Sequence, residues 1–187
     1  MLETFIVCGA QRVGKSILSK SIANISGGTV VSIDSVRGKE FGSNIPKTMR
    51  KKLATSYVRR VTEQQPFNAI VEGVSVYNLC RDALAKREFS VPVYFVGFTG
   101  IYSEKRRGIE LYRRTGCCWT TKKNLSERDL DRMTRHQIEL SAKQRQFCNK
   151  FGYRYFEIRP NYFDLDIGSV ARLILDDLHF SSDRPKT

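Results

Sequence analysis

The chain has 187 residues and a formal charge of +13, with 32 lysines and arginines against 19 acidic residues. That length fits one domain with a substantial core, and the charge calls for an anionic partner, either a phosphorylated metabolite or nucleic acid. No apolar run approaches the roughly 18 residues of a membrane span, no signal-peptide pattern opens the chain, and five cysteines without C-x-x-C spacing argue against a disulfide framework or a zinc site. The expectation is a cytoplasmic protein with reduced thiols and no membrane partner, and His136 and His179 alone offer little for a metal site or a Ser-His-Asp triad.

Thr4 to Cys8 reads as a buried strand and Ile17 to Ile25 as a helix. Between them, Gly9-Ala10-Gln11-Arg12-Val13-Gly14-Lys15-Ser16 matches G-x-x-x-x-G-K-[ST], the loop that cradles a nucleoside triphosphate. Phosphate oxygens need close backbone N–H groups and a helix N-terminus, which the glycines and the following helix supply. Gly9, Gln11, Arg12, Val13 and Gly14 are therefore expected to wrap the phosphates. Lys15 is expected to reach the β and γ phosphates, and the Ser16 hydroxyl to ligate Mg2+, which takes few protein ligands.

A second strand, Thr29 to Ile33, ends in Asp34-Ser35-Val36-Arg37-Gly38, and open α/β sheets bind ligands just beyond such strand ends. Asp34 could orient an acceptor hydroxyl or take its proton; the competing reading is a turn cap hydrogen-bonded to backbone. Arg37 could grip a substrate phosphate or carboxylate, or be a solvated charge. After a loop over 39–45, Met49, Leu53, Tyr57 and Val61 recur every four residues from Pro46, with Lys47, Arg50, Lys51, Lys52, Arg59 and Arg60 on other faces. This is a basic amphipathic helix.

Asn68 to Val71 predicts a third strand running into Glu72-Gly73, where the Glu72 carboxylate could hold magnesium through water or cap the next helix. Tyr77 to Arg87 reads as helix and Val91 to Phe98 as the strongest strand. Ser103 to Arg114 then gathers Lys105, Arg106, Arg107, Arg113 and Arg114, and residues seven apart share a helical face, so several guanidiniums could converge on phosphates or lie solvated. Gly116 to Asn124, with Cys117, Cys118 and Trp119, reads as loop. Ser126 with Asp129 predicts a cap opening a helix to about Lys150, with Leu130, Met133, Leu140, Phe147 and Phe151 on one stripe. A fifth strand over Tyr153 to Ile158 and a helix from Ile167 to Phe180 complete the chain. Alternating strands and helices predict an α/β fold with a parallel sheet, as one domain over residues 1–187.

The phosphate loop, Ile33-Asp34 with Arg37, Val71-Glu72-Gly73 and the arginine-rich segment together resemble the P-loop kinase superfamily of nucleoside-monophosphate-kinase-like fold. Within it, the aspartate ending the second strand is similar to that of small-molecule kinases of the chloramphenicol phosphotransferase, gluconate kinase and zeta-toxin type. The resemblance implies a three-layer α/β/α fold with a five-stranded parallel sheet ordered 2-3-1-4-5 and a helical lid at about residues 104–126. It also implies ATP as donor. Glu72-Gly73-Val74-Ser75-Val76 stands where adenylate kinases carry D-G-x-P-R, and neither D-x-x-G nor N-K-x-D of GTPases is present; Asn149-Lys150-Phe151-Gly152 does not fit. The expected function is an ATP- and Mg2+-dependent phosphotransferase acting on a hydroxyl of a small, anionic molecule. In it Lys15, Asp34, Arg106, Arg107, Arg113 and Arg114 serve catalysis, Arg37 and Glu72 join Asp34 at the substrate, and Ser16 and Glu72 serve the metal. The alternatives are a kinase of nucleic-acid ends and a non-catalytic ATP-binding regulator or nucleic-acid-binding module.

Overall fold

Three strands are apolar on both faces, and they organise the sheet. Every residue of β1 (Phe5–Gly9), β3 (Ala69–Gly73) and β4 (Val93–Gly97) is buried, the pattern of parallel strands covered by helices on two sides. The computed structural model describes residues 3–35, 45–64, 68–114 and 126–182. Within these, β2 (Thr29–Ser32) and β5 (Arg154–Glu157) flank the central strands. All neighbours pair parallel in the order β2-β3-β1-β4-β5, as the resemblance implies.

Because side chains alternate along a strand, each strand feeds two separate cores. Ile6, Cys8, Val71 and Phe95 face a layer made of α2 (Lys47–Gln64), α3 (Val74–Ala85) and α5 (Glu127–Phe151). Phe5, Val7, Ile70 and Val96 face α1 (Lys15–Ser26) and α6 (Phe163–Ser182), meeting Leu18, Ile22, Ile174 and Leu178. The first core is aromatic: the Phe95 ring lies 5.9 Å from Tyr77 and 6.0 Å from Phe147. Such pairs contribute about 0.5–1.5 kcal/mol each beyond their area. Helix α4 (Tyr102–Arg114) packs on α5 and on the 3-10 turn Pro160–Tyr162. It carries the arginine-rich segment to the carboxyl ends of β4 and β5. Of the expected lid, residues 115–125, with Cys117, Cys118 and Trp119, lie outside the described residues.

Four local features differ from the sequence reading, each for a physical reason. Helix α3 begins at Val74, directly on β3 and ahead of the expected Tyr77, because the distant Asp34 carboxylate accepts from its first N–H groups. Helix α6 begins at Phe163 instead of Ile167, with Asp164 and Asp166 in its first turn complementing the helix dipole. On α2 the buried apolar residues are Ala54 and Val58, with Thr62 buried beyond them, while Met49, expected on the core stripe, is 54% exposed. On α5 the buried stripe turns polar between Leu130 and Phe147, through Thr134, Gln137, Ser141 and Gln144, because it crosses the loop ends of the sheet. Elsewhere local chemistry behaves as read. Ser126 accepts from the Asp129 N–H at 3.1 Å, and Gly27, at φ 71°, closes α1.

Candidate active site

The loop between β1 and α1 is shaped by its second glycine. Gly14 has φ 90°, and a Cβ there would lie 2.8 Å from the Phe163 ring, so both the turn and the packing require glycine. Its carbonyl accepts from Leu18 N–H at 2.8 Å, starting a helix with no acidic residue in its first turn. That N-terminus is left positive, as an anion site needs. Lys15 is buried and donates from Nζ to the Ala10 carbonyl at 2.8 Å, folding back over the loop. Burial pushes its ammonium pKa down, while the charges of Glu72 and Asp34 oppose the shift.

Both carboxylates picked out in the sequence stand beside this loop. Glu72 pairs across the sheet with Val7 and Ser32, is 4% exposed, and accepts from the Ser16 hydroxyl at 3.3 Å. Two hard oxygen donors from β3 and α1 thus meet at the start of the phosphate loop helix, a set that suits Mg2+. Asp34, among the helical residues 33–35 after β2, accepts from the N–H groups of Val74 and Ser75, each at 2.9 Å. The turn-cap reading is therefore met in a long-range form, with the carboxylate capping α3 from a neighbouring strand. A carboxylate offers about four acceptor sites, so lone pairs remain for an acceptor hydroxyl. Gly73 permits the approach, since a Cβ there would sit 3.2 Å from Asp34 Cγ.

The other end of the loop is held by α4 and α5. Arg12 adopts φ 55°, a left-handed conformation that costs a non-glycine residue about 1–2 kcal/mol. Its side chain crosses to α5, where Nη1 lies against the Met133 sulfur. In the amide orientation that satisfies both contacts, Gln137 donates to the Gln11 carbonyl and accepts from Arg12 Nη1, each at 3.0 Å. From α4, Lys105 Nζ donates to the Arg12 carbonyl at 2.9 Å. Next to these groups opens a cavity of about 300 Å³, lined by Arg12, Val13, Lys105, Ile109, Phe163 and Asp164 among others. It lies at the low end of the size range of small-molecule sites.

The arginines expected in a lid divide. Arg106 is only 13% exposed, salt-bridged to Glu110 at 2.8 Å and Asp131 at 3.0 Å and paired with Glu127. Its charge is balanced by acids of α4 and α5. Arg107 is exposed on the same helix. Arg113 and Arg114 belong to the last turn of α4, but their side chains, like Arg37 as a whole, lie outside the described residues. Cys8, Cys80 and Cys148 are buried free thiols, Cys80 pushed up to about 11 by burial, and none faces the loop as a nucleophile. Lys105 and Gln137 are the site residues that motif reasoning missed. The available signal was helical register, since Lys105 precedes Ile109 by four residues on the buried side of α4.

No protein-family model matches the chain, and no curated protein matches it in sequence. Its likeness to known proteins is structural. Shikimate kinase from Bacteroides thetaiotaomicron superposes with a TM-score of 0.64 at 15% identity, over 96% of this chain and 99% of that one. A shikimate kinase from Acinetobacter baumannii in complex with shikimate gives 0.57 at 15% identity, over 95% of both chains. A gluconokinase from Sinorhizobium meliloti gives 0.56 at 15% identity, over 96% and 97%. The chain therefore has the fold of these shikimate kinases and this gluconokinase.

Proposed function

We propose that the protein is an ATP- and Mg2+-dependent phosphotransferase that moves the γ-phosphoryl group to a hydroxyl of a small anionic molecule. The observation that carries this reading is the convergence on Lys15: its amine is buried in the phosphate loop and feels the charges of both Glu72 and Asp34, from two neighbouring strand ends. Phosphoryl transfer asks a protein for positioning and charge stabilisation more than for covalent chemistry. The acceptor oxygen forms a bond to the γ phosphorus as the bond to the bridging oxygen breaks, ADP leaves, and the hydroxyl proton passes to Asp34. Lys15 bears on the β and γ oxygens, and lid arginines offset the charge of the transition state. Ser16 and, through water, Glu72 would hold magnesium, which would supply further neutralisation of phosphate charge when bound. The +13 charge favours an anionic acceptor, as do relatives in fold that include a kinase holding shikimate.

The test is a screen of phosphate acceptors with labelled ATP, comparing wild type with Asp34→Asn. Asp34→Asn is expected to lower kcat about 10²-fold with little change in ATP affinity. Equal losses in both would mark Asp34 as the cap of α3 alone. Tight nucleotide binding without transfer to any acceptor would favour a non-catalytic regulator. A second reading, a kinase of nucleic-acid ends, is favoured by α2, where Lys52 and Arg60 are exposed beside Lys51 and Arg59, themselves paired with Asp82 and Glu88. Salt-dependent oligonucleotide binding would support it, and no binding at low salt would remove it.

A further inference from the structure

We propose that Lys105 is a second cation of the nucleotide site, braced against the Arg12 carbonyl from the lid side so that its charge joins that of Lys15 when a nucleoside polyphosphate binds. The inference rests on the nucleotide-binding reading of the loop and adds to it a residue outside the motif.

The geometry is unusual for a lysine. Helix α4 turns this side chain inward, leaving it 3% exposed at the wall of the cavity beside the loop. Its one hydrogen bond given by the structure runs to the Arg12 carbonyl at 2.9 Å, and the Phe98 ring lies 6.0 Å from Nζ. Among the described residues no carboxylate pairs with it. The charged groups around it are Arg12 and Lys15 from the loop, both repelling, and Asp164 across the cavity, which is exposed. The nearby acids are committed elsewhere: Glu110, Glu127 and Asp131 to Arg106, and Asp166 to Arg159. A buried ammonium facing two like charges is disfavoured until an anion arrives. Burial first, then Arg12 and Lys15, hold its pKa down to about 7.

A bound polyphosphate reverses the sign of the local field and favours the charged amine. Nucleotide binding should therefore raise the Lys105 pKa and take up a proton wherever the free protein has it neutral, above about pH 7. Below that pH the amine is already charged and binding takes up none. Affinity accordingly weakens as pH rises from 7 toward 8.5, and the steepness reports Lys105.

The experiment measures ADP binding by calorimetry from pH 6 to 8.5, in buffers of different ionisation enthalpy, for wild type, Lys105→Met and Lys105→Arg. Titration of the nucleotide's own phosphates is common to all three and drops out of the comparison. Lys105→Met is expected to bind about tenfold more weakly at pH 7, the scale of one charge-assisted contact. It should also lose the proton uptake. Lys105→Arg keeps the charge at every pH, so it should hold wild-type affinity at pH 7 with a flat profile above it. Lys105→Met binding within twofold of wild type with the same pH slope would overturn the proposal while leaving the nucleotide reading intact. If that variant does not fold, Lys105→Arg with the wild-type slope would overturn it equally. Wild-type protein that binds no ADP at any pH would sink the nucleotide reading, and this inference with it.

Discussion

The two ends of the phosphate loop are built on different principles. At the Lys15–Ser16 end the decisive groups come from the motif, joined by Glu72 and Asp34 from two neighbouring strand ends. At the Arg12 end the backbone is left-handed and the contacts come from far along the chain: Lys105 lies 93 residues away and Met133 lies 121 away. One end gathers the groups proposed to hold phosphate and metal by local geometry; the other ties the loop to α4 and α5. A fold can therefore keep its chemistry in a short word of sequence while its conformational coupling is written across the whole chain.

The sharpest way to break the first end is Lys15→Ala. Removing the buried amine should lower kcat for phosphoryl transfer by about 10³-fold, the scale of a preorganised charge at the transferring group. Thermal melting should show the fold retained, because a lysine whose burial depresses its pKa adds little to stability. Undiminished turnover would show that the amine is not at the reacting phosphates. Next in size is Glu72→Gln, which keeps a hydrogen-bond acceptor for Ser16 but removes the charge. The magnesium concentration giving half-maximal rate should rise about 10–100-fold, as for other groups that support a metal indirectly. The rate at saturating magnesium should change much less. A magnesium dependence equal to wild type would confine Glu72 to holding the loop helix.

The contrast also explains what could be read from sequence. The glycine-bounded loop and the strand-end positions of Asp34 and Glu72 were legible because each rests on local periodicity or on short spacing, whereas the sheet order was reached through the resemblance that these motifs carry. The start of α3 was not, since Val74-Ser75-Val76 looks like an extension of β3 until Asp34 caps it from a different strand. The polar middle of α5 was equally hidden: Gln137, Ser141 and Gln144 have the look of a solvated face, and only the position of the sheet's loop ends buries them. Lys105 shows the same limit for charge. A lysine inside a run of cations reads as surface, yet helical register turns it inward to the loop.

The smallest effects test the strain at the Arg12 end, and they can be isolated with two substitutions at one site. Arg12→Ala and Arg12→Gly both remove the guanidinium that Gln137 and Met133 receive, so both lose the same side-chain anchoring. They differ in the backbone. Alanine must still be held at φ 55°, whereas glycine adopts that region freely but gains more entropy in the unfolded chain. The left-handed penalty, about 1–2 kcal/mol, exceeds the entropy difference of about 0.4–1 kcal/mol. Arg12→Gly should therefore be the more stable of the two by up to about 1 kcal/mol, a difference in Tm of about 2–4 °C for a chain of this size. Arg12→Ala melting above Arg12→Gly would mean that the loop relaxes out of the left-handed conformation once the arginine is gone, leaving only the entropy difference. In that case α5, through the Arg12 side chain, imposes the bend on the loop, and the loop does not present it to the helix.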